Sequence, residues 1–98
     1  MKIKFIVPIS IENKLSTEMT FEKDMAYLPS IHSLISFGTL YTPITEIFVT
    51  LHKDAILCKA GLTITLTKGS AASMLAKALA QGWVPRDDFV YNIVSGSE

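Results

Sequence analysis

A single cysteine, Cys58, occurs in these 98 residues, so no internal disulfide can staple the fold. That excludes the cross-linked architecture of small secreted domains and fits a reducing compartment, so the expected location is the cytoplasm. Charge is also scarce. Only 18% of residues are ionised side chains, against roughly a quarter in ordinary globular chains. Nine acids offset eight lysines and one arginine, and the charges are scattered along the chain. No basic face is available to neutralise phosphates, so a nucleic-acid partner is not expected.

There are two histidines, His32 and His52. With one cysteine inside an apolar run and dispersed carboxylates, they match no metal-ligand spacing, so no metal and no cofactor are expected. Residues 25–45 carry no formal charge, a length that could span a bilayer in principle. Pro29, Pro43, Gly38 and His32 interrupt that stretch, a composition unsuited to a membrane helix. The basic start, Lys2 and Lys4, is followed by alternation rather than a continuous apolar run, which does not read as a secretory signal.

What the chain has in quantity is apolar residues: 49% hydrophobic, with a mean hydropathy of +0.37. A domain this small buries only about two-thirds of its unfolded surface. The surplus therefore points to a subunit interface or a binding groove.

The apolar residues are arranged mostly with period two. Ile3, Phe5, Val7, Ile9 and Ile11 alternate with Lys2, Lys4 and Ser10, which predicts a half-buried strand over 2–11. Pro8 places that strand at an edge or at a break in pairing, because proline has no amide to donate. Met19, Phe21, Met25 and Tyr27 share one parity opposite Glu22 and Asp24, giving a second strand. Residues 28–41 read as irregular with strand character, with a turn at Gly38-Thr39. Residues 44–51 and 55–67 form an antiparallel hairpin around His52-Lys53-Asp54, and Gly61 marks a bulge or bend in its second strand.

The period then changes. Residues 71–81 are rich in Ala, Leu, Met, Lys and Gln, with Met74, Leu75, Ala78 and Leu79 forming a stripe at helical spacing. Ser70 is the expected N-cap and Gly82 the left-handed C-terminal residue. Trp83 and Val84 re-enter the core, 85–88 turn, and Phe89, Tyr91 and Ile93 alternate as a last strand. The expected fold is α+β within one domain, 1–98. It is a mainly antiparallel sheet of four to five strands with the 71–81 helix across one face, in the order β-β-(irregular)-β-β-α-β.

Chemistry has few candidates. Ser33, His32 and Asp24 supply the residue types of a nucleophilic triad, but no spacing brings them together. His52, at a turn beside Lys53 and Asp54, reads as solvated. Cys58 alternates with Ile56 and Ala60 and reads as a small buried hydrophobe. Glu22 with Asp24, and Asp87 with Asp88, are the paired carboxylates, on a wet strand face and in a turn. The best binding candidate is the strand-to-helix junction of Lys68, Gly69, Ser70 and Ala71. A helix N-terminus there offers amides to an anion, and Lys68 adds a cation. Phe48 lies on the parity opposite Ile47, Val49 and Leu51, which makes it a candidate interface residue if the helix does not cover it.

The size, the strand-rich layout and the lack of a catalytic motif make the chain similar to short accessory proteins of phages and mobile elements. That resemblance implies an inhibitor, decoy or sequestering role. Three functions are expected, in descending order. First is a non-catalytic protein-interaction module that self-associates as a homo-oligomer. Second is a binder of a small anionic ligand, such as a nucleotide, at 68–71. Third is a small enzyme using His32 or His52.

Overall fold

The computed structural model describes residues 1–50 and 55–95, with the side chains of Thr50 and Ala55 outside the description. Its elements are β1 (Lys2–Ile11), β2 (Leu15–Asp24), β3 (Leu34–Phe37), β4 (Leu40–Thr50), β5 (Ala55–Ala60), β6 (Ile64–Leu66), α1 (Lys68–Gln81), β7 (Val84–Pro85) and α2 (Phe89–Val94). The strands form a curled, mixed sheet in the order β3-β4-β5-β1-β2-β7, with β6 continuing beside β1 beyond the end of β5. The expected antiparallel sheet of four to five strands with a single helix is therefore incorrect, although the α+β class stands.

β1 is the centre of the sheet. It pairs antiparallel with β2 and parallel with both β5 and β6. Parallel neighbours escape a sequence reading because alternation in a strand reports which face is buried and nothing about the direction of its partner. The predicted long strand over 55–67 divides near Gly61. Its first part pairs with Ile3–Ile6 and its second with Ile9–Ile11. Pro8 falls in the gap between those two ladders, so its missing amide costs no bond on that side. It is central rather than at an edge, and it marks the break in pairing.

The register of β4 with β5 skips at Thr45, the extra residue of a bulge, and Gly61 lies against it. A Cβ on Gly61 would come within 2.9 Å of the Thr45 Cβ. The glycine permits this close approach, and the chain bends there from β5 into β6.

The predicted core face of β1 is the real one. Ile3, Phe5, Val7, Ile9 and Ile11 are all buried. They join Met19, Ile35, Phe37, Ile44, Cys58 and Ala60 from the other strands in one cluster. Leu75 and Ala78 of α1 are fully buried in it, with Met74 and Leu79 packed partly against it. Burying a leucine of this kind contributes roughly 1.5–3 kcal/mol.

α1 begins three residues before the expected start. Thr67 is the N-cap, and Thr67 and Ser70 form a reciprocal capping box. A Ser at 70 reads as a cap, but here it serves as the third helical residue and returns the bond to the cap backbone. The C-terminal end matches expectation. Gly82 sits at φ 107°, and the amides of Gly82 and Trp83 close the last turn on Leu79 and Ala78.

The final strand expected over 89–93 is instead the short helix α2. Val90 is buried, Phe89, Ile93 and Val94 pack partly on the core, and Tyr91 is half exposed. In a six-residue apolar window the positions 89, 90, 93 and 94 satisfy a helical stripe as well as 89, 91 and 93 satisfy alternation. Packing against α1 decides between them.

Candidate functional site

The curl of the sheet brings β3, at one end of its order, towards β2, next to the other end. Phe21 of β2 and Phe37 of β3 both contact the Trp83 ring, at centroid separations of 5.5 and 5.2 Å. The segment 81–86 holds the two sides together. On the β3 side, the Gln81 amide donates to the Gly38 carbonyl and accepts from the Gly38 N–H, both at 2.9 Å. The Trp83 Nε1–H donates to the Ser36 carbonyl at 3.2 Å. On the β2 side, Val84 and Pro85 pair with Thr20 and Met19, and the Arg86 N–H donates to the Glu18 carbonyl. Arg86 also pairs with the carboxylates of Glu18 and Asp87, and the buried Thr17 hydroxyl donates to Asp87.

This clasp fastens only part of the seam. Beside it, β2 and β3 remain apart and leave an open cleft of about 380 Å³. Phe5 of the central strand, Phe21, Met25, Leu34 and Trp83 supply apolar walls, and among the described residues Lys23 is the sole ionisable one lining it. Lys23 pairs across the ladder with buried Ile3, on the parity of Phe21 and Met25. Its neighbours Glu22 and Asp24 take the other parity, where they meet Lys2 and the chain amino group. No ion pair joins Lys23 to another described residue. A lysine on the core parity of a strand is the sequence signal that could have pointed to this site.

The sequence-predicted junction at 68–71 is bonded within the chain. The Lys68 N–H donates to the Glu12 carboxylate at 3.1 Å, and the Ser70 N–H to the Thr67 hydroxyl at 3.2 Å. The Ala71 N–H makes the first regular helical bond, to the Thr67 carbonyl. Glu12 reaches this position from the β1–β2 turn, where it and Asn13 have φ of 53° and 58°. A left-handed backbone costs a non-glycine residue roughly 1–2 kcal/mol. At Glu12 that cost is offset by its N–H bond to the Leu66 carbonyl at 2.8 Å and by the carboxylate on the helix. An external anion at this junction would have to compete with Glu12.

The other candidates do not converge. His32 is exposed at φ 76°, with its backbone bonded to the Ile44 carbonyl. The Ser33 hydroxyl accepts from the Ser30 amide, and Asp24 lies on the solvent face near the chain amino group. No hydrogen bond joins these three side chains. His52 lies outside the described residues. Cys58 is fully buried, and desolvation pushes its thiol above the ordinary value, so it is held as the neutral, unreactive form. Asp87 is engaged in the clasp. Among the described residues no group of three or more potential ligands could hold a metal, and no helix is long and apolar enough to cross a membrane. Phe48 is half exposed on the outer sheet face, opposite Leu57 and away from α1. Compared with family profiles, curated proteins and solved structures, the chain matches none.

Proposed function

We propose that this chain is a small non-catalytic protein-interaction module that works as a homo-oligomer in the cytoplasm. The observation that carries the reading is where the apolar surplus emerges. Tyr27, Leu34 and Tyr41 are 82%, 66% and 70% exposed, with Leu28 and Ile31 between them in the chain. All of them fall within the uncharged stretch 25–45. Leu34 and Tyr41 are diagonal neighbours on the β3–β4 hairpin, since Tyr41 pairs with Ser36 and Leu34 with Pro43.

A surface of this kind meets a partner without desolvating a charge, which is the usual composition of an interface centre. A second copy offers the same patch. A two-fold arrangement lets each Leu34–Tyr41 surface cover its equivalent without leaving an open end for further growth. Phe48 on the outer face is a second contact available to a larger assembly.

Light scattering after size exclusion, over a range of micromolar concentrations, tests this. The expected result is a dimer or larger species that Tyr41→Glu converts to monomer with little change in melting temperature. A wild-type chain that stays monomeric throughout the range sinks the reading.

A further inference from the structure

We propose that the cleft between β2 and β3 is a binding site for a small amphipathic carboxylate, a molecule with one anionic head and one apolar body. Three features on different elements lead there. First, the walls are apolar and largely aromatic, and the volume of about 380 Å³ lies within the range of small-molecule sites. Second, the polar group nearest the helix, the Gln81 amide, is already engaged at both ends by Gly38, so it does not recruit a ligand. Third, among the described residues the single charged group at the cleft is Lys23, and none of them forms an ion pair with it.

Charge complementarity then fixes the head group. A lysine whose stem runs along apolar surface presents its ammonium at the rim, where one carboxylate can accept from it. The body of the ligand lies over Phe5 and against Phe21 and Trp83. A nucleotide suits this site badly. Its several phosphates would face one cation, and the polar edges of its base and sugar would lose their water against Phe5 and Phe21 without gaining partners. The anionic-ligand idea attached to residues 68–71 thus moves to the opposite end of α1 and changes chemistry, from phosphate to amphiphile. It does not rest on self-association: Tyr27 and Tyr41 lie outside the cleft, although Leu34 belongs both to the cleft and to the proposed dimer patch.

Trp83 is the chain's one tryptophan and lines the cleft, so its fluorescence reports occupancy directly. The probe is decanoate, titrated below its micelle-forming concentration, with decanol as the uncharged control and oligomeric state recorded on the same samples. The expected result is a saturable emission change with decanoate. Lys23→Gln should weaken decanoate binding about tenfold while leaving the decanol response unchanged. Three results would overturn the proposal. One is the absence of a saturable response in the wild type by both fluorescence and calorimetry. Another is equal decanoate affinity in Lys23→Gln. The third is a tryptophan shift driven by protein concentration alone, which would mean that a second copy fills the cleft.

Discussion

The two ends of α1 differ in how the chain completes them. At the N-terminal end, the distant Glu12 takes the Lys68 amide and Thr67 the Ser70 amide, and the positive end of the helix dipole faces a carboxylate that the protein brings itself. At the C-terminal end, Gln81, Trp83 and the strand that follows are used to fasten two sides of the sheet, and an apolar slot with one lysine stays open beside them. The Lys68 and Ser70 amides of the helix start are satisfied from within. Open space lies beside both ends. At the first, about 340 Å³ is lined by Ile11, Glu12, Lys14, Leu15 and Lys68, and Glu12 already holds the Lys68 amide there. At the second, about 380 Å³ lies between two strands remote in the sheet.

The largest expected effect removes both ends together. Leu75 is fully buried midway along α1, and Leu75→Asp would place an unpaired charge there at a cost comparable with the whole margin of a small domain. Loss of the cooperative thermal transition in circular dichroism is the expected outcome. An unchanged melting temperature would mean that α1 is not docked on the sheet. Trp83→Ala should act on the C-terminal end alone and cost about 3–5 kcal/mol in urea unfolding, because it empties the space between Phe21 and Phe37 and frees the Ser36 carbonyl. Hydrogen exchange would sharpen the contrast. Amides of β3 and the last turn of α1 should lose protection first, while the capped first turn keeps its own. Uniform loss along the helix would show that the two ends are energetically one unit.

Much of this was legible in the sequence, for a reason that also marks its limit. Alternation in 2–11 and helical spacing in 71–81 are local consequences of which face is buried, so the core faces of β1 and α1 were readable directly. The C-cap at Gly82 was readable because a left-handed residue after a helix strongly favours glycine. The N-cap was displaced because Thr67 and Ser70 are both capping residue types, three apart, and only the backbone shows which one precedes the helix. The parallel pairing of β1, the clasp at 81–86 and the cleft depend on contacts between residues more than 40 positions apart, such as Gly38 with Gln81 and Ser36 with Trp83. No local pattern carries that information. Lys23 and Glu12 carry a weak local signal, one a charge on the core parity of a strand and the other a carboxylate in a turn. Glu12 bonds the first turn of α1, and Lys23 lines the cleft beside its last turn.

The smallest effect tests whether Glu12 occupies the place of an external anion. Glu12→Ala removes the carboxylate from the Lys68 amide and keeps a side chain in a left-handed backbone, so it should cost about 1 kcal/mol. Glu12→Gly removes the same carboxylate but relieves the backbone, so it should lie closer to wild type. The difference between the two variants isolates the strain from the electrostatics. Phosphate then separates the readings of the N-terminal end. If Glu12 fills the site, phosphate should raise the melting temperature of both variants, as a ligand that binds only the folded state must, and leave the wild type unmoved. An equal rise in all three chains would show that the first turn of α1 accepts anions with Glu12 in place, and the idea that Glu12 holds the place of an external anion would fail.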